Sequence, residues 1–264
     1  MHTFRGIARR VVVLSSGDVY LANDVLYRKI ADPVQPTPLS ETALLRTTRY
    51  PYRGVPVPAI PWVDSDHYEK IEVEEVALSM PALPGTILRL PMLYGPGAYD
   101  FWKRRFFPYF KRIDDQRESI LLNNAMAQWC APWSYTGNAA EAVALTVENE
   151  RAAGQIYNVC EQGRPTIADW IREIAAVTGW RGQVLITSKP CPPPDMSSQL
   201  NLSQHLDMDS TRIRAELGYR EPVPRIEALA QTAAWEREHP PSQIDPKQFD
   251  YTAEDALIAT IHPG

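Results

Sequence analysis

Cysteine and histidine are the residues from which metal centres, disulfide frameworks and nucleophilic dyads are built. This sequence holds three of the first and five of the second. Cys130, Cys160 and Cys191 are widely spaced and form no C-x-x-C pair, which argues against both a zinc site and a disulfide framework. His2 and His262 are terminal, His239 lies in a Pro-rich turn, and no histidine has a partner at ligand spacing, so no metal site is expected. Cations set among aromatic rings are a second pattern with chemistry of its own. Lys103, Arg104, Arg105, Lys111 and Arg112 alternate with Phe101, Trp102, Phe106, Phe107, Tyr109 and Phe110. Such an array can stack single-stranded nucleic acid, but a helix docking its aromatic face on a core produces the same pattern. The charge balance favours the helix: 27 Lys and Arg against 32 Asp and Glu give a net charge of −5. Tracking a phosphate backbone needs a basic stripe, so nucleic acid is not expected as a partner. The third pattern is a glycine-rich turn, which lets a pyrophosphate approach backbone N–H groups at a helix start. Here 13 glycines stand where about 18 would be average, and 24 prolines where about 13 would be.

The elements that would position a site can be read from the apolar runs. Arg10–Ser16 is a Val/Leu run without alternation that ends in small hydroxyl residues, the pattern of a parallel strand buried on both faces. Residues 21–63 are proline-rich and predict a long loop with one short helix; loops of that length are uncommon unless they cover a site. A helix is expected from Asp66, with Asp66 as cap and Glu69 closing a capping box, carrying Ile71, Val73, Val76, Ala77 and Met80. Gly85–Leu90 predicts a second buried strand, ended by Pro91 and a Gly95-Pro96-Gly97 turn, and strand–helix–strand is the unit of a parallel α/β sheet. Further on, the pattern predicts helices near 137–149, 167–177, 209–217 and 224–238, strands at 155–159 and 183–187, a proline-rigidified 189–194 linker, and a surface tail over 239–264. No apolar run approaches the length of a membrane span, and Met1–Arg10 lacks the apolar stretch of a secretory signal, so a cytoplasmic protein without membrane contact is expected.

Several segments carry a resemblance. Val12–Tyr20 (VVLSSGDVY) resembles the strand and active-site serine of the extended short-chain dehydrogenase/reductases, the NAD-dependent epimerase/dehydratase family. Leu88–Gly97 (LRLPMLYGPG) is similar to that family's later strand and its YGPG turn, and Lys70 with Glu74 to its lysine and glutamate four residues on. Tyr135–Ala142, Ile156–Val159 and Asp209–Tyr219 follow the family's substrate domain in order. The resemblance implies an α/β fold: a partial Rossmann-like parallel sheet over residues 1–100, a smaller C-terminal α/β substrate domain over 101–238 interleaved with the sheet, and a 239–264 tail. It also implies NAD or NADP as cofactor, a small-molecule substrate, and homodimers as in much of that family. Ser16 matches the serine that orients the substrate oxygen, and Lys70 the lysine that binds the ribose and tunes a tyrosine base. Leu14, Ser15, Lys70, Leu90, Pro91 and Met92 match positions facing the cofactor. Ser16, Met92, Tyr94, Trp133 and Tyr135 match positions facing the substrate.

The chain departs from that pattern in four places. The family's tyrosine stands four residues before its lysine, on the same helix face, but Asp66 occupies that position here. Tyr68 is only two residues before Lys70: either it reaches the site because the helix begins late, or it packs at the helix entrance. Asp18 aligns with one of two carboxylates of the dehydratases' acid/base pair, with Gly17 in the place of the other; it either carries the proton or bonds turn backbone. Met92 replaces a substrate-binding Asn of many epimerases. No glycine-rich turn precedes the Val11–Leu14 strand, which would leave that strand an apolar edge. Two readings follow. One is an N-terminally shortened epimerase, dehydratase or reductase acting on a secondary alcohol or ketone, with Ser16, Lys70, Tyr68 and Asp18 as catalytic residues. The other is a non-catalytic binding protein that keeps the fold.

Overall fold

The computed structural model describes residues 4, 6–54, 64–98, 104–192 and 199–261. Phe101, Trp102 and Lys103 of the basic–aromatic stretch, Pro193 and Pro194 of the linker, and His2 and His262 lie outside the described residues. The strands are β1 Val11–Ser16, β2 Gly85–Leu90, β3 Met92–Tyr94, β4 Ser119–Asn123, β5 Trp133–Tyr135, β6 Ile156–Asn158 and β7 Gln183–Thr187. The helices are α1 Leu21–Leu26, α2 Lys70–Leu78, α3 Phe107–Asp114, α4 Asn124–Gln128, α5 Thr136–Glu148, α6 Ile167–Thr178, α7 Thr211–Leu217, α8 Arg225–Glu238 and α9 Tyr251–Ile261.

The Val/Leu run of β1 pairs in parallel with β2, from Val11 opposite Gly85 to Ser16 opposite Leu90, and β2 pairs in parallel with β6. Among the described residues the order β1-β2-β6 leaves β1 at an edge, where Leu14 is 46% exposed. The burial on both faces expected of the run is not found: at this edge only Ser15 of β1 is buried. Helix α2 crosses back between β1 and β2 and buries Ile71, Glu74 and Ala77, one side of the helix at three-residue intervals. Gly85 makes this packing feasible, because a Cβ there would sit 2.6 Å from the carbonyl oxygen of Ala77. The sheet also draws on distant chain: Leu88, Ala142, Tyr157, Val159, Ile213, Leu217 and Tyr219 form one apolar cluster, so α5, β6 and α7 pack with the first strands.

A larger core lies beyond, around the rings of Tyr94, Phe106, Trp133, Tyr135 and Trp170, with α3, α6 and α8 packed about it. Two short parallel pairs, β3-β5 and β4-β7, thread it. Helix α6 is the best specified element: Thr166 and Asp169 form a full capping box, Gly179 closes the other end in the left-handed conformation, and Trp170, Ile171 and Ile174 face inward. The basic–aromatic stretch becomes α3. Phe106 and Phe110 are buried, while Arg104 pairs with Glu236, Lys111 with Asp115 and Arg112 with Glu254 of α9. Those cations are neutralised within the protein.

The structure corrects the start of the second helix. Asp66 lies in a single 3-10 turn, Ser65–His67, that is capped by Asp64. Helix α2 begins four residues later at Lys70, and its cap is Glu69, whose carboxylate accepts the N–H of Ile71.

Candidate active site

The carboxyl end of β1 is where the chain gathers its reactive side chains. Alternation along the strand sends Ser15 inward, where its Oγ donates to Oε1 of Glu74 at 2.5 Å, and Ser16 the other way. Ser16 caps the 3-10 turn Gly17–Val19, its Oγ accepting the N–H of Asp18 at 3.2 Å. That turn aims the Asp18 carboxylate at two phenols. Tyr68 donates to Oδ2 at 2.9 Å and Tyr52 donates to the same oxygen at 3.3 Å. Oδ1 is buried and meets no donor among the described residues. Ser16 also hydrogen-bonds Tyr68, and the rings of Tyr52 and Tyr68 meet edge to face at 5.2 Å. Lys70 places its Nζ 5.4 Å from the centre of the Tyr68 ring and donates to the Leu14 carbonyl at 3.1 Å.

The late start of α2 explains how Tyr68 and Lys70 come together. In a helix, residues four apart share a face, but in extended chain residues two apart do. Tyr68 and Glu69 are both extended, so Tyr68 and Lys70 project to one side and Glu69, between them, to the other. There Glu69 meets Arg46 in a two-pronged pair at 2.8 and 3.0 Å, with both side chains almost wholly enclosed. Glu69 also accepts the N–H groups of Tyr50 and Ile71, and Arg46 Nε donates to the Asp18 carbonyl at 3.1 Å. One buried ion pair thus ties the long loop, the turn bearing Asp18 and the head of α2 together.

Burial dominates the electrostatics of these groups. Burial raises the Asp18 carboxyl above its ordinary value, against the Tyr68 hydrogen bond and the charges of Arg46 and Lys70, which favour the ionised form. Burial and the Asp18 charge push the Tyr68 phenol far above its ordinary value, and Tyr52 is raised by the same causes. A tyrosine whose pKa is lowered by lysine is therefore not what this site contains. Each phenol is a donor to the Asp18 carboxyl.

Other residues singled out in the sequence are spent differently. Leu90 sits beside Ser16 in register and leads through Pro91 to Met92. Tyr94, Trp133 and Tyr135 stack within the aromatic core. The Tyr94 hydroxyl donates to Glu161 at 2.6 Å and that of Tyr135 to Gln231 at 2.5 Å. Sequence reasoning missed Tyr52, Arg46 and Lys29. The one signal was the length of the 21–63 loop, which implied a cover without saying which residues it would deliver.

A dinucleotide can be tested against these residues. Ser16, Lys70, the Leu14 carbonyl and the Leu90–Met92 stretch lie together at the carboxyl end of β1, with polar groups of the kind a nicotinamide ribose would need. Among the described residues, no glycine-rich turn opens a helix beside β1, and no strand other than β2 pairs with β1 in a ladder. The pyrophosphate end finds no cradle there.

No protein-family model matches the chain, and no curated protein sequence matches it. Solved structures do. The UDP-glucose 4-epimerase of Thermotoga maritima, crystallised with UDP-glucose, superposes with a TM-score of 0.59 at 17% identity over 89% of this chain and 66% of its own. An epimerase from Methanothermobacter thermautotrophicus gives 0.61 at 14% identity over 90% and 62%. The dTDP-glucose 4,6-dehydratase of Streptomyces venezuelae, solved with NAD bound, gives 0.55 at 20% identity over 87% and 60%. The fold is thus that of the NAD-dependent epimerases and dehydratases, the extended short-chain dehydrogenase/reductases. The chain spans 60–66% of the length of these structures.

Proposed function

We propose that this chain carries the proton-handling part of an NAD(P)-dependent epimerase, dehydratase or reductase that acts on a secondary alcohol or ketone of a sugar-like or other small molecule. The observation behind the reading is the convergence of Ser16, Asp18, Tyr68 and Lys70 at the carboxyl end of β1, the end at which parallel α/β sheets bind ligands. A nicotinamide, when bound, supplies the hydride acceptor or donor. The chain's own residues manage the proton. Ser16 holds the reacting oxygen beside Tyr68. As an alcohol is oxidised, its hydroxyl proton passes to the Tyr68 oxygen while the Tyr68 proton passes along the existing 2.9 Å hydrogen bond to Asp18. The substrate O–H bond breaks, a carboxyl O–H bond forms, and the phenol ends as it began. The Lys70 ammonium offsets negative charge that develops on the phenol oxygen in passing. Reduction of a ketone runs the same transfers backwards, with the raised Asp18 carboxyl as the acid.

Saturation-transfer NMR with NAD⁺ tests this reading. Enhancement should fall on the nicotinamide and its ribose protons in preference to the adenine, and Lys70→Met should abolish it. No enhancement on the nicotinamide, or equal enhancement at both ends that survives Lys70→Met, would refute the proposal. The alternative, a non-catalytic binding protein, draws its support from the pyrophosphate end, which finds no cradle among the described residues.

A further inference from the structure

A buried carboxylate oxygen without a donor costs free energy, so Oδ1 of Asp18 calls for an explanation. Its twin, Oδ2, receives two phenols. The second of these, Tyr52, comes from the long loop, and several contacts fix it there. Lys29 donates to the carbonyl of Pro51 at 2.9 Å and lies 5.6 Å from the centre of the Tyr52 ring. On the near side Arg46 bonds the carbonyl of Thr48, and the N–H of Tyr50 meets Glu69. On the far side the N–H of Gly54 meets the Asp66 carboxylate at 2.9 Å, and Arg53 donates to the Asp66 carbonyl. Around Asp18 the arrangement is two-sided: Lys70 behind Tyr68 on one flank, Lys29 behind Tyr52 on the other.

We propose that Tyr52, clamped by Lys29, is a positioning residue of this site: with Tyr68 it saturates Oδ2 of Asp18 and so reserves Oδ1 as the acceptor for a hydroxyl of the ligand. The inference rests on the reading that Asp18 faces the substrate, and it sets the ligand class. A neutral polyol satisfies Oδ1 by donating to it, whereas a carboxylate or phosphate at the same place is repelled. Tyr52 reaches the ligand only through Asp18, so its removal should be felt at the carboxylate.

The measurement is the titration of the Asp18 Cγ resonance by ¹³C NMR, with Asp18→Asn to assign the signal. The groups that face this carboxylate are Tyr68, Arg46, Lys70 and Tyr52, with Lys29 beyond Tyr52. A donor to a carboxylate favours its ionised form, so Tyr52→Phe, which keeps the ring, should raise the Asp18 pKa by about one unit. Lys29→Met should shift it the same way by less. Tyr68→Phe should also raise it. If Tyr68→Phe raises the value and Tyr52→Phe leaves it unchanged, the role given to Tyr52 is wrong while the functional reading stands; if neither moves it, both fall. Glycerol at molar concentration serves as a polyol probe. It should lower the Asp18 pKa in the native chain by donating to Oδ1, and acetate at equal ionic strength should not. An Asp18 that ignores glycerol, or answers acetate equally, would overturn the assignment of Oδ1 to a ligand hydroxyl.

Discussion

Replacing Arg46 with methionine tests whether the site is held by the buried pair beneath it. Both partners are almost fully enclosed, with 1% of the Arg46 side chain and 2% of the Glu69 side chain exposed. Removing one member of a buried pair strands the other charge, at a cost of about 3–5 kcal/mol. Glu69 would keep the N–H groups of Tyr50 and Ile71, which points to the lower end of that range, about 3 kcal/mol. The lost hydrogen bond from Arg46 to the Asp18 carbonyl adds about 1 kcal/mol. At a chain length of this order, a loss of about 4 kcal/mol lowers the melting temperature by roughly 10 °C. Pairing Arg46→Met with Glu69→Gln removes the stranded charge and should recover about half of the loss. The penalty also has a pH signature. Burial pushes the Glu69 carboxyl up, but Arg46 and the two N–H donors outweigh it and hold the value below the ordinary one. A carboxyl lowered on folding adds stability that is complete above its unfolded value, about 4.3, and is lost as pH falls through the folded value. In Arg46→Met that contribution is gone, so the gap to the native chain should be widest at pH 7 and narrow below about pH 4. Urea unfolding of the three proteins at pH 7 and pH 3.5 measures all of this. A single variant within about 1 kcal/mol of native, the range of exposed pairs, would refute the anchoring argument. So would a double variant no more stable than Arg46→Met alone.

Two further outcomes follow from the cores. Trp170 is 1% exposed between Phe106, Trp133 and Tyr94, so Trp170→Ala should cost about 3–5 kcal/mol in urea unfolding, and a loss below about 1 kcal/mol would contradict the packing described. Burial pushes the Cys160 thiol up to about 12, and its Sγ donates to the Met208 carbonyl. Iodoacetamide at pH 8 should therefore leave Cys160 unmodified in the native chain and label it in urea, as peptide mass spectrometry would show; rapid native labelling would refute the burial.

Legibility in the sequence followed the range of the interactions. The β1 and β2 runs and the apolar pattern over 167–177 are local signals, and each element appears within a residue or two of its expected place. The basic–aromatic stretch was also decided by a local pattern, with Phe106 and Phe110 buried and the cations paired to carboxylates. What escaped was set by pairing across the chain. Arg46 and Glu69 are 23 residues apart, and Tyr52 and Asp18 are 34 apart across a proline-rich loop without periodicity. No local rule distinguishes the arginine that will be buried there from Arg49, which pairs with Glu75 at the surface.

Tyr68 shows how a spacing can mislead when its backbone is assumed. Read as helix, Tyr68 and Lys70 diverge by about 200° around the axis, and the tyrosine appears displaced. Read as extended chain up to the helix start, the same spacing aligns them, and the residue between is turned toward the interior, where Glu69 finds Arg46. The geometry has an electrostatic consequence. Burial raises the Tyr68 phenol, and the Asp18 carboxylate, to which its hydroxyl donates at 2.9 Å, raises it further, against the Ser16 hydrogen bond and the Arg46 charge. A site built this way cannot store its base on the tyrosine. With Asp18 as the proposed base, the phenol becomes the bridge by which the reacting hydroxyl passes its proton to that carboxylate.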